Sequence, residues 1–561
     1  MQPRVWISEM QFSDGSNIYF EKNDIIVFVG PNNAGKSASL KEAATLLANR
    51  EQKGKVLKEV VFEKEGDNDD LLAFLNEQSL TEVVDKINDR YRGYGYDFHT
   101  IQARHRWENF QEGIKELFQV FANILTTSDR LTAAHPAPNI KLTSEVNKHP
   151  IHFLQKDDKE EKRFSEYFRQ AFGTDLIVHR NAGNEVPLYI GEKPIPKPGD
   201  DRVSDGYLRE LETRELLHGQ GDGMKSFVGV MLNAFISNYC ILFIDEPEAF
   251  LHPPQARLMG KMLAKDLPKS KQLFLATHSE DFLKGLLDSN ASNLKIIRIH
   301  REGSINIVNV LNSSDIEEIW SNSLLRHSDI LNGLFHSKVV ICESDSDCRF
   351  YSAILSAQYE DTNQIAPDIL FVHCGGKHRV PTVIKSLRKL NVPLKVVCDF
   401  DVLNDIAPLK DIYVDLGGTW AEVEADWSLV RSEIERKKPE LPTADVKKEI
   451  EAILHSTTEL NFPNAKVEEI KRILKKASAW SQAKEIGKAF IPSGNATQAF
   501  ERMKIKFKEK GFHILEGGEL EGFAKSIGKH GPKWVADVLT KDLKNDLELE
   551  GARKFVAEIS G

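Results

Sequence analysis

Residues 30–37 read GPNNAGKS, a glycine-rich turn that follows an apolar stretch and opens a helical pattern. In such a turn the glycines let backbone N–H groups point at phosphate oxygens, the lysine reaches the terminal phosphates, and the serine hydroxyl ligates magnesium. The spacing therefore predicts a phosphate-binding loop for ATP and Mg²⁺. The residues predicted to bind the nucleotide are Gly30, Asn32, Asn33, Gly35, Lys36 and Ser37, and Ser37 is also a predicted metal ligand.

A second chemical group lies where apolar residues 241–244 run directly into Asp245 and Glu246. The first acid can hold magnesium through water, and the second can orient or deprotonate the water that attacks the γ-phosphate. A third apolar strand ends near His278, which can hydrogen-bond the γ-phosphate or that water. Asp245 is therefore a predicted nucleotide and metal ligand, and Glu246 and His278 are predicted catalytic residues.

A third group consists of carboxylates at strand ends in the second half of the chain. Glu343 and Asp347 follow one apolar strand, and Asp399 and Asp401 follow another. Clustered acids repel one another unless hard cations neutralise them, and oxygen ligands favour Mg²⁺ or Mn²⁺ over zinc. The four acids are therefore predicted metal ligands, and Glu343, Asp399 and Asp401 are also predicted catalytic residues.

Two sets of parallel strands are needed to position these groups. Three short apolar strands end in the first two groups of motifs, as in a buried sheet whose loops carry a site at the strand ends. Strand and helix patterns alternate again from Lys338, which predicts a second parallel α/β unit. We predict an α/β fold with an ATPase domain at residues 1–335, carrying a helical insertion at about 51–173, and a second domain at residues 336–561, carrying a helical insertion at about 404–510.

Composition bounds the class of protein but does not choose its partner. The chain has 561 residues, 41% of them hydrophobic and 28% charged, which is more than one hydrophobic core requires. The longest apolar stretches are strand-length, the N-terminus lacks a secretion pattern, and the five cysteines lack zinc-site spacing. These features predict a cytoplasmic protein without a membrane span. The formal charge of −10 disfavours a coat of nucleic acid but permits local phosphate contacts around metal ions.

The first three motifs, in this order, resemble those of ABC-type ATPases of the SMC, RecF and OLD kind, in which Glu-Ala-Phe-Leu-His-Pro extends the second motif. Residues 248–253 carry that extension. The resemblance implies a head-to-head homodimer, with ATP held between the P-loop of one subunit and the signature motif of the other. Residues 219–226, GQGDGMKS, stand where the signature belongs, so Gly221 and Gly223 are expected to contact nucleotide. The residues depart from the usual Leu-Ser-Gly-Gly-Gln, and a helix-capping loop is the alternative.

The carboxylate pattern resembles a Toprim domain, the catalytic fold shared by topoisomerases, primases and OLD nucleases. Glu343 matches its glutamate, Asp347 its second acid, and Asp399 with Asp401 its Asp-x-Asp motif. Residues 375–377 are similar to the Gly-Gly-Lys turn that many OLD members carry. The resemblance implies a metal-dependent nuclease with ions about 4 Å apart.

Two later acids and a lysine extend the resemblance. Glu521, with Glu519 as the alternative, is expected to ligate the second metal ion, and Lys533 is expected to stabilise the pentavalent phosphate. A capping acid and a surface lysine are the plain alternatives. The sequence departs from the family at Ser344, where Gly is frequent, and at Asp347, where Glu is frequent, so the ion at Asp347 is expected to shift or to bind more weakly.

Together the motifs resemble the OLD (overcoming lysogenization defect) family, in which an ATPase is fused to a Toprim nuclease. The resemblance implies cleavage of DNA phosphodiesters with ATP and Mg²⁺ or Mn²⁺ as cofactors. We further hypothesise that the nucleotide state gates cleavage, with ATP either activating or inhibiting, because an ATPase dimer fused to a nuclease can transmit its opening to a DNA channel. The layout is similar to the nuclease subunit of the Gabija anti-phage system and to OLD effectors encoded beside retrons. The expected partners are therefore DNA, a second copy in a homodimer or a tetramer, and a helicase or a reverse transcriptase with its DNA product.

Other functions remain open from the residues alone. An SMC-like or RecF-like DNA clamp without nuclease activity ranks second, because clustered acids are poor phosphate binders without metal. A topoisomerase or primase ranks third, because a topoisomerase needs an additional tyrosine domain. The most basic region is the candidate DNA surface, although a solvated helix face explains it equally well. Its residues are Lys471, Arg472, Lys475, Lys476, Arg502, Lys504, Lys506, Lys508 and Lys510.

Overall fold

A computed structural model describes residues 2–84, 88–93, 95–143, 145–311, 317, 320–321, 329–437, 441–459, 461–475 and 478–561, without the side chains of Arg472 and Lys475. The chain forms two compact units, Met1–His327 and Ser328–Gly561. Lys476, one of the basic residues named above, lies outside the described residues. The α/β fold class predicted from the motifs is confirmed in each unit.

The first unit is built around a six-stranded sheet and also contains smaller sheets. The strands of the whole unit are β1 (Arg4–Phe12), β2 (Asn17–Tyr19), β3 (Ile25–Val29), β4 (Leu57–Glu65), β5 (Leu80–Glu82), β6 (Arg90–Arg92), β7 (Asp97–His99), β8 (Ala122–Leu125), β9 (Ala137–Pro138), β10 (Asp175–Val178), β11 (Glu185–Val186), β12 (Leu188–Gly191), β13 (Glu215–Leu216), β14 (Ile241–Asp245), β15 (Gln272–Ala276), β16 (Leu294–Glu302) and β17 (Ile305–Leu311). Its helices are α1 (Lys36–Ala48), α2 (Asn68–Gln78), α3 (Thr100–Glu108), α4 (Phe118–Phe121), α5 (Thr127–Thr132), α6 (Pro150–Lys156), α7 (Asp158–Phe172), α8 (Asp205–Leu211), α9 (Asp222–Met231), α10 (Pro253–Asp266) and α11 (Glu280–Leu287).

The central sheet has the order β17-β16-β3-β15-β14-β8, and all neighbouring pairs are parallel except β16 with β17. All residues of β3 and β15 are buried, because helices cover both faces of a parallel sheet and the strands are apolar throughout. The carboxyl ends of β3, β14 and β15 therefore meet at one edge. That edge carries the P-loop, Asp245 with Glu246, and His278.

The segment at residues 51–173, predicted to be a helical insertion, is of mixed structure. β4 pairs along its length with β1 in a separate antiparallel sheet, and β8 is the edge strand of the central sheet beside β14. The helix-spaced apolar residues around Phe118 lie in short helical turns and in the four-residue α4. The prediction was wrong for these strands because burial against β1 and β14 supplies pairing partners that local spacing does not reveal.

The second unit contains a four-stranded parallel sheet of order β19-β18-β20-β21, with all three pairings parallel. Its strands are β18 (Lys338–Cys342), β19 (Ile369–His373), β20 (Leu394–Cys398) and β21 (Phe512–Ile514). Its helices are α12 (Asp345–Tyr359), α13 (Val380–Lys389), α14 (Ile406–Asp415), α15 (Glu424–Arg436), α16 (Thr443–His455), α17 (Asn464–Lys475), α18 (Ala479–Ile486), α19 (Asn495–Glu509), α20 (Pro532–Val538) and α21 (Glu550–Ser560).

Helices α14 to α19 occupy the segment between β20 and β21. The segment is anchored by buried aromatic contacts, such as Phe400 with Phe500 and Phe507 with Phe512. Several basic side chains of α19 are held in ion pairs: Lys504 bonds Glu501 and Glu516, and Arg502 bonds Asp426. These contacts favour a structural role for part of the basic region.

None of the described helices is both long enough and apolar enough to cross a bilayer.

Candidate active sites

The P-loop joins β3 to α1 and has two positions that only glycine fits. At Gly30 φ is +146°, and a Cβ there would lie 2.0 Å from the carbonyl oxygen of Ile299. At Gly35 φ is +104°, and a Cβ would lie 2.9 Å from the side-chain nitrogen Nδ2 of Asn306. Left-handed backbone and close approach both require glycine. The two glycines therefore let the loop curl over the end of the sheet.

The P-loop and the second motif meet through a hydrogen bond. The Ser37 hydroxyl donates to Asp245 Oδ1 at 2.9 Å, and the Lys36 ammonium donates to the carbonyl oxygens of Gly30 and Pro31 at 2.7 and 2.9 Å. Burial raises the pKa of Asp245, and the Ser37 hydrogen bond opposes that rise. A hydroxyl and a carboxylate are oxygen ligands of the kind that Mg²⁺ takes, and an ammonium is a group that contacts phosphates. The three side chains together therefore fit a bound Mg²⁺-ATP.

Glu246 and His278 lie together at the mouth of the same cleft. His278 Nδ1 is 3.2 Å from Glu246 Oε1, and both side chains are about half exposed. Behind them, the buried Glu248 accepts hydrogen bonds from the Thr277 hydroxyl at 2.7 Å and the His278 backbone N–H at 3.4 Å. Burial raises the pKa of Glu248. Glu248 therefore ties the strand end that carries His278 to the loop that carries Glu246.

Arg130 is a buried residue of this site that the motifs did not reveal. Its guanidinium donates to the carbonyl oxygens of Asp245 at 2.5 Å and Glu246 at 2.7 Å. Glu246 has φ of +48°, a conformation that is strained for a residue with a side chain. Arg130 thus holds the strained peptide in place, and only tertiary contact, not spacing, brings it there.

A cleft of about 1150 Å³ opens at this edge of the sheet. Among the described residues, its lining includes Asn32, Asn33, Gly35, Lys36, Ser37, Glu246 and His278. Gly221 and Gly223 are not among these lining residues; they stand at the start of α9, where Gly221 is the N-cap. Their predicted contact with nucleotide across a dimer stays a prediction.

In the second unit, three predicted acids converge at the carboxyl ends of β18 and β20. Glu343 Oε1 accepts the backbone N–H of Asp399 at 3.0 Å, and Asp347 accepts the N–H of Ser344 at 2.8 Å at the start of α12. Burial, then the charge of Asp399, raises the pKa of Glu343 to about 7 and that of Asp347 to about 6. Burial also raises the pKa of Asp399. Three carboxyl groups this close together, each with a pKa raised by burial, fit a site that divalent cations neutralise.

Asp401, the fourth predicted acid, is held by two lysines. Lys377 Nζ is 3.1 Å from both the backbone oxygen and Oδ2 of Asp401. Lys484 Nζ is 3.5 Å from Asp401 Oδ1 and 2.8 Å from Asp399 Oδ2. The Asp399 and Asp401 charges raise the pKa of Lys484, although burial alone would lower it. Lys484 comes from α18, more than eighty residues after Asp399, so no local motif indicated it.

The late acids reach the same cleft. Glu521 Oε1 accepts the N–H of Gly531 at 2.6 Å, and the ligand atoms of Glu519, Glu521 and His530 lie within 4.8 Å of one another. Glu519 and Glu521 both line the cleft of about 600 Å³ that Glu343, Asp347, Asp399 and Lys484 also line. Lys533 is exposed on α20 and is not among the described residues of that lining. Its catalytic role stays a prediction.

The pKa shift of Glu343 predicts a pH-dependent stability. Because the folded protein keeps this proton up to about pH 7 and the unfolded chain loses it near pH 4.5, stability contributed by the neutral form is lost as pH rises between these values. With chelator present, Glu343→Gln is expected to stabilise the protein by about 3 kcal/mol at pH 8 and by less than about 1 kcal/mol at pH 5. Urea unfolding at the two pH values measures the difference, and equal stabilisation at both would contradict it.

Two protein families match separate segments of the chain. The family described as AAA domain, putative AbiEii toxin, Type IV TA system matches residues 25–283, and the family described as Overcoming lysogenization defect protein-like, TOPRIM domain matches residues 334–401. The Old nuclease of Escherichia phage P2 is 25% identical over an alignment of 261 positions that covers 41% of this chain and 43% of that protein. The match therefore spans less than half the length of this curated relative.

Solved SMC heads are also similar over about half of the chain. The SMC head bound to the C-terminal winged-helix domain of ScpA is 12% identical, covering 55% of this chain and 98% of that one, with a TM-score of 0.34. The SMC head domain from Thermotoga maritima is 12% identical, covering 56% and 100%, with a TM-score of 0.28. The fold assignment rests on the two parallel sheets and the two family matches.

The sheet, the P-loop and the acid cluster define a P-loop ATPase domain followed by an OLD-like Toprim domain. The two domains in this order, with the similarity to the Old nuclease of phage P2, confirm the resemblance to the OLD family.

Proposed function

We propose that this protein is an ATP-hydrolysing, metal-dependent DNA endonuclease of the OLD type. The observation that carries the proposal is the cleft where Glu343, Asp347, Asp399 and Glu521 converge from separate segments. Such an excess of carboxylates in one cleft is unfavourable unless divalent cations bind there. An SMC-like DNA clamp without nuclease activity does not require such a carboxylate cluster.

Separate groups of residues would bind the metal ions, position the carboxylates and hold the phosphate during phosphodiester cleavage. Glu343, Asp399 and Asp401 would hold one cation, and Asp347 with Glu521 or Glu519 the second; Mg²⁺ or Mn²⁺ bound there supplies an activated water and neutralises charge on the leaving oxygen. The Asp399 N–H fixes the Glu343 carboxylate, and the Gly531 N–H fixes that of Glu521. Lys377 and Lys484 would hold the phosphate by charge, and Lys533 keeps the phosphate-stabilising role that the family resemblance implies.

On the ATPase side, Gly30, Asn32, Asn33, Gly35 and Lys36 would bind the phosphates, and Ser37 with Asp245 would hold Mg²⁺. Glu246 would orient the attacking water, with His278 hydrogen-bonded to it or to the γ-phosphate. The half-exposed positions of Glu246 and His278 suit groups that meet a ligand. In a homodimer, Gly221 and Gly223 of one copy would contact the nucleotide bound to the P-loop of the other. Two such dimers would form a tetramer.

ATP binding would gate DNA cleavage, because both activities are linked in one chain and a nucleotide-dependent dimer changes what the Toprim cleft can reach. The biological role would be anti-phage defence, with a helicase or a reverse transcriptase and its DNA product as the partner. The similarity to a phage nuclease, Old of phage P2, supports a role in conflict between phage and host. Cleavage that is the same with ATP, with ADP and after nucleotide depletion would contradict the gating.

The experiment that tests the function incubates the purified full chain with supercoiled plasmid and Mg²⁺ or Mn²⁺, with ATP, ADP or no nucleotide. Metal-dependent nicking or linearisation, absent with chelator, is the expected result. The matched readout is phosphate release from ATP in the same samples. ATP hydrolysis without cleavage under every metal and nucleotide condition would favour the clamp.

A further inference from the structure

Lys484 holds the Asp-x-Asp pair from outside the Toprim core. It lies on α18, within the helical segment between β20 and β21. Its Nζ is 2.8 Å from Asp399 Oδ2 and 3.5 Å from Asp401 Oδ1, so one ammonium contacts both carboxylates. These two carboxylates are also the ones that would hold a cation.

The position of Lys484 is fixed by its backbone. A Cβ on Gly518 would lie 2.1 Å from the Lys484 carbonyl oxygen, and one on Gly487 would lie 2.1 Å from the Glu516 carbonyl oxygen. The Lys488 N–H donates to that Glu516 oxygen at 2.8 Å. The end of α18 and the turn at residues 516–518 are thus in direct backbone contact. The same turn leads to Glu519, so the ammonium is a built part of the cleft.

The two sides of the cleft differ in charge. Asp401 contacts a second ammonium, since Lys377 Nζ is 3.1 Å from its Oδ2. Glu519 and Glu521 face the His530 imidazole instead, at 3.5 and 3.7 Å. A divalent cation approaching Asp399 and Asp401 must therefore displace or be repelled by fixed positive charge, whereas one approaching Glu521 meets less of it.

We propose that Lys484 competes with a divalent cation for the Asp399–Asp401 carboxylates and thereby makes this the weaker of the two metal positions. The inference rests on the proposed two-metal nuclease function. Lys484 sets the metal concentration at which the ion at Asp399 and Asp401 binds, because a carboxylate oxygen that bonds the ammonium is not free for the metal. The helical segment that supplies Lys484 is then a determinant of metal affinity.

Direct metal binding tests the proposal without relying on cleavage. Mn²⁺ is titrated into the nucleotide-free full chain, and unbound Mn²⁺ is measured by electron paramagnetic resonance. Binding that disappears in Asp399→Ala/Asp401→Ala is assigned to the pair. Lys484→Gln is expected to bind Mn²⁺ at the pair at least about 10-fold more tightly than the parent, because a positive charge a few ångströms from the ion is removed. Lys484→Met is a second neutral variant that is expected to agree.

Two controls separate charge from local disruption. Lys484→Arg keeps the charge and is expected to bind Mn²⁺ as weakly as the parent. Lys488→Gln removes a nearby lysine that pairs with Glu501 and Glu516 outside the cleft, and it is expected to leave Mn²⁺ affinity unchanged. Thermal unfolding checks that each variant is folded.

The outcomes distinguish this inference from the proposed function. Parent-like or weaker Mn²⁺ binding in both neutral variants, with binding at the pair intact in the parent, would overturn the competition by Lys484 and leave the metal site standing. No binding assignable to the pair in the parent or in either neutral variant would overturn the metal site itself, and the inference with it.

Discussion

Replacing Lys36 with alanine is expected to lower the rate of ATP hydrolysis on the order of 10²–10³-fold, the usual loss when one preorganised charge-stabilising donor is removed. The Lys36 ammonium donates hydrogen bonds to the carbonyl oxygens of Gly30 and Pro31 inside the loop, so it already lies at the predicted phosphate site. Phosphate release from ATP measures the effect. The fold is expected to persist, because α1 buries Leu40, Ala43 and Leu47 independently of Lys36.

Lys58→Ala is the matched control for Lys36→Ala. Lys58 is exposed on β4 and is not among the described residues that line the nucleotide cleft, so its loss is expected to leave hydrolysis unchanged. Retention of more than a tenth of the parent rate by Lys36→Ala would refute the assignment of this loop to ATP.

The double substitution Asp399→Ala/Asp401→Ala is expected to abolish plasmid cleavage while ATP hydrolysis continues. The double substitution removes both carboxylates from the same proposed metal position. A bound metal ion contributes several kcal/mol of transition-state stabilisation, so its loss corresponds to a rate loss on the order of 10³-fold. The ATPase residues belong to the other compact unit, so their chemistry is expected to stay intact. Plasmid nicking and phosphate release, measured on one preparation, test both halves.

A charge-matched control removes two acids from the surface of the same unit. Asp411 on α14 and Asp445 on α16 are exposed, and Asp411→Ala/Asp445→Ala is expected to cleave like the parent. Cleavage by the Asp399→Ala/Asp401→Ala protein would show that the metal-site assignment is wrong. Loss of ATP hydrolysis in that protein would show that the two activities are coupled more tightly than proposed.

Local sequence was enough for the parts of the site that follow directly from a strand. Ser37 and Asp245 are hydrogen-bonded and Glu246 contacts His278, as expected for motifs at neighbouring strand ends. A parallel sheet brings its carboxyl ends to one edge, so a polar motif after an apolar run predicts its own position in space. The same logic predicted that Asp399 would meet Glu343.

Local sequence was insufficient wherever a distant segment supplies the contact. β8 pairs with β14 from within the stretch predicted to be helical, because strand pairing depends on a partner that spacing does not name.

What the sequence by itself determined was the α/β class, the order of the two domains, and the acids and P-loop residues at strand ends, since each depends on residues close together in the chain. Only the tertiary structure decided which basic groups face those acids. Arg130 reaches the peptide of Glu246, and Lys484 reaches Asp399, across long separations in sequence. The physical reason is that a buried or clustered charge requires a counter-charge, and packing of distant segments selects which residue provides it.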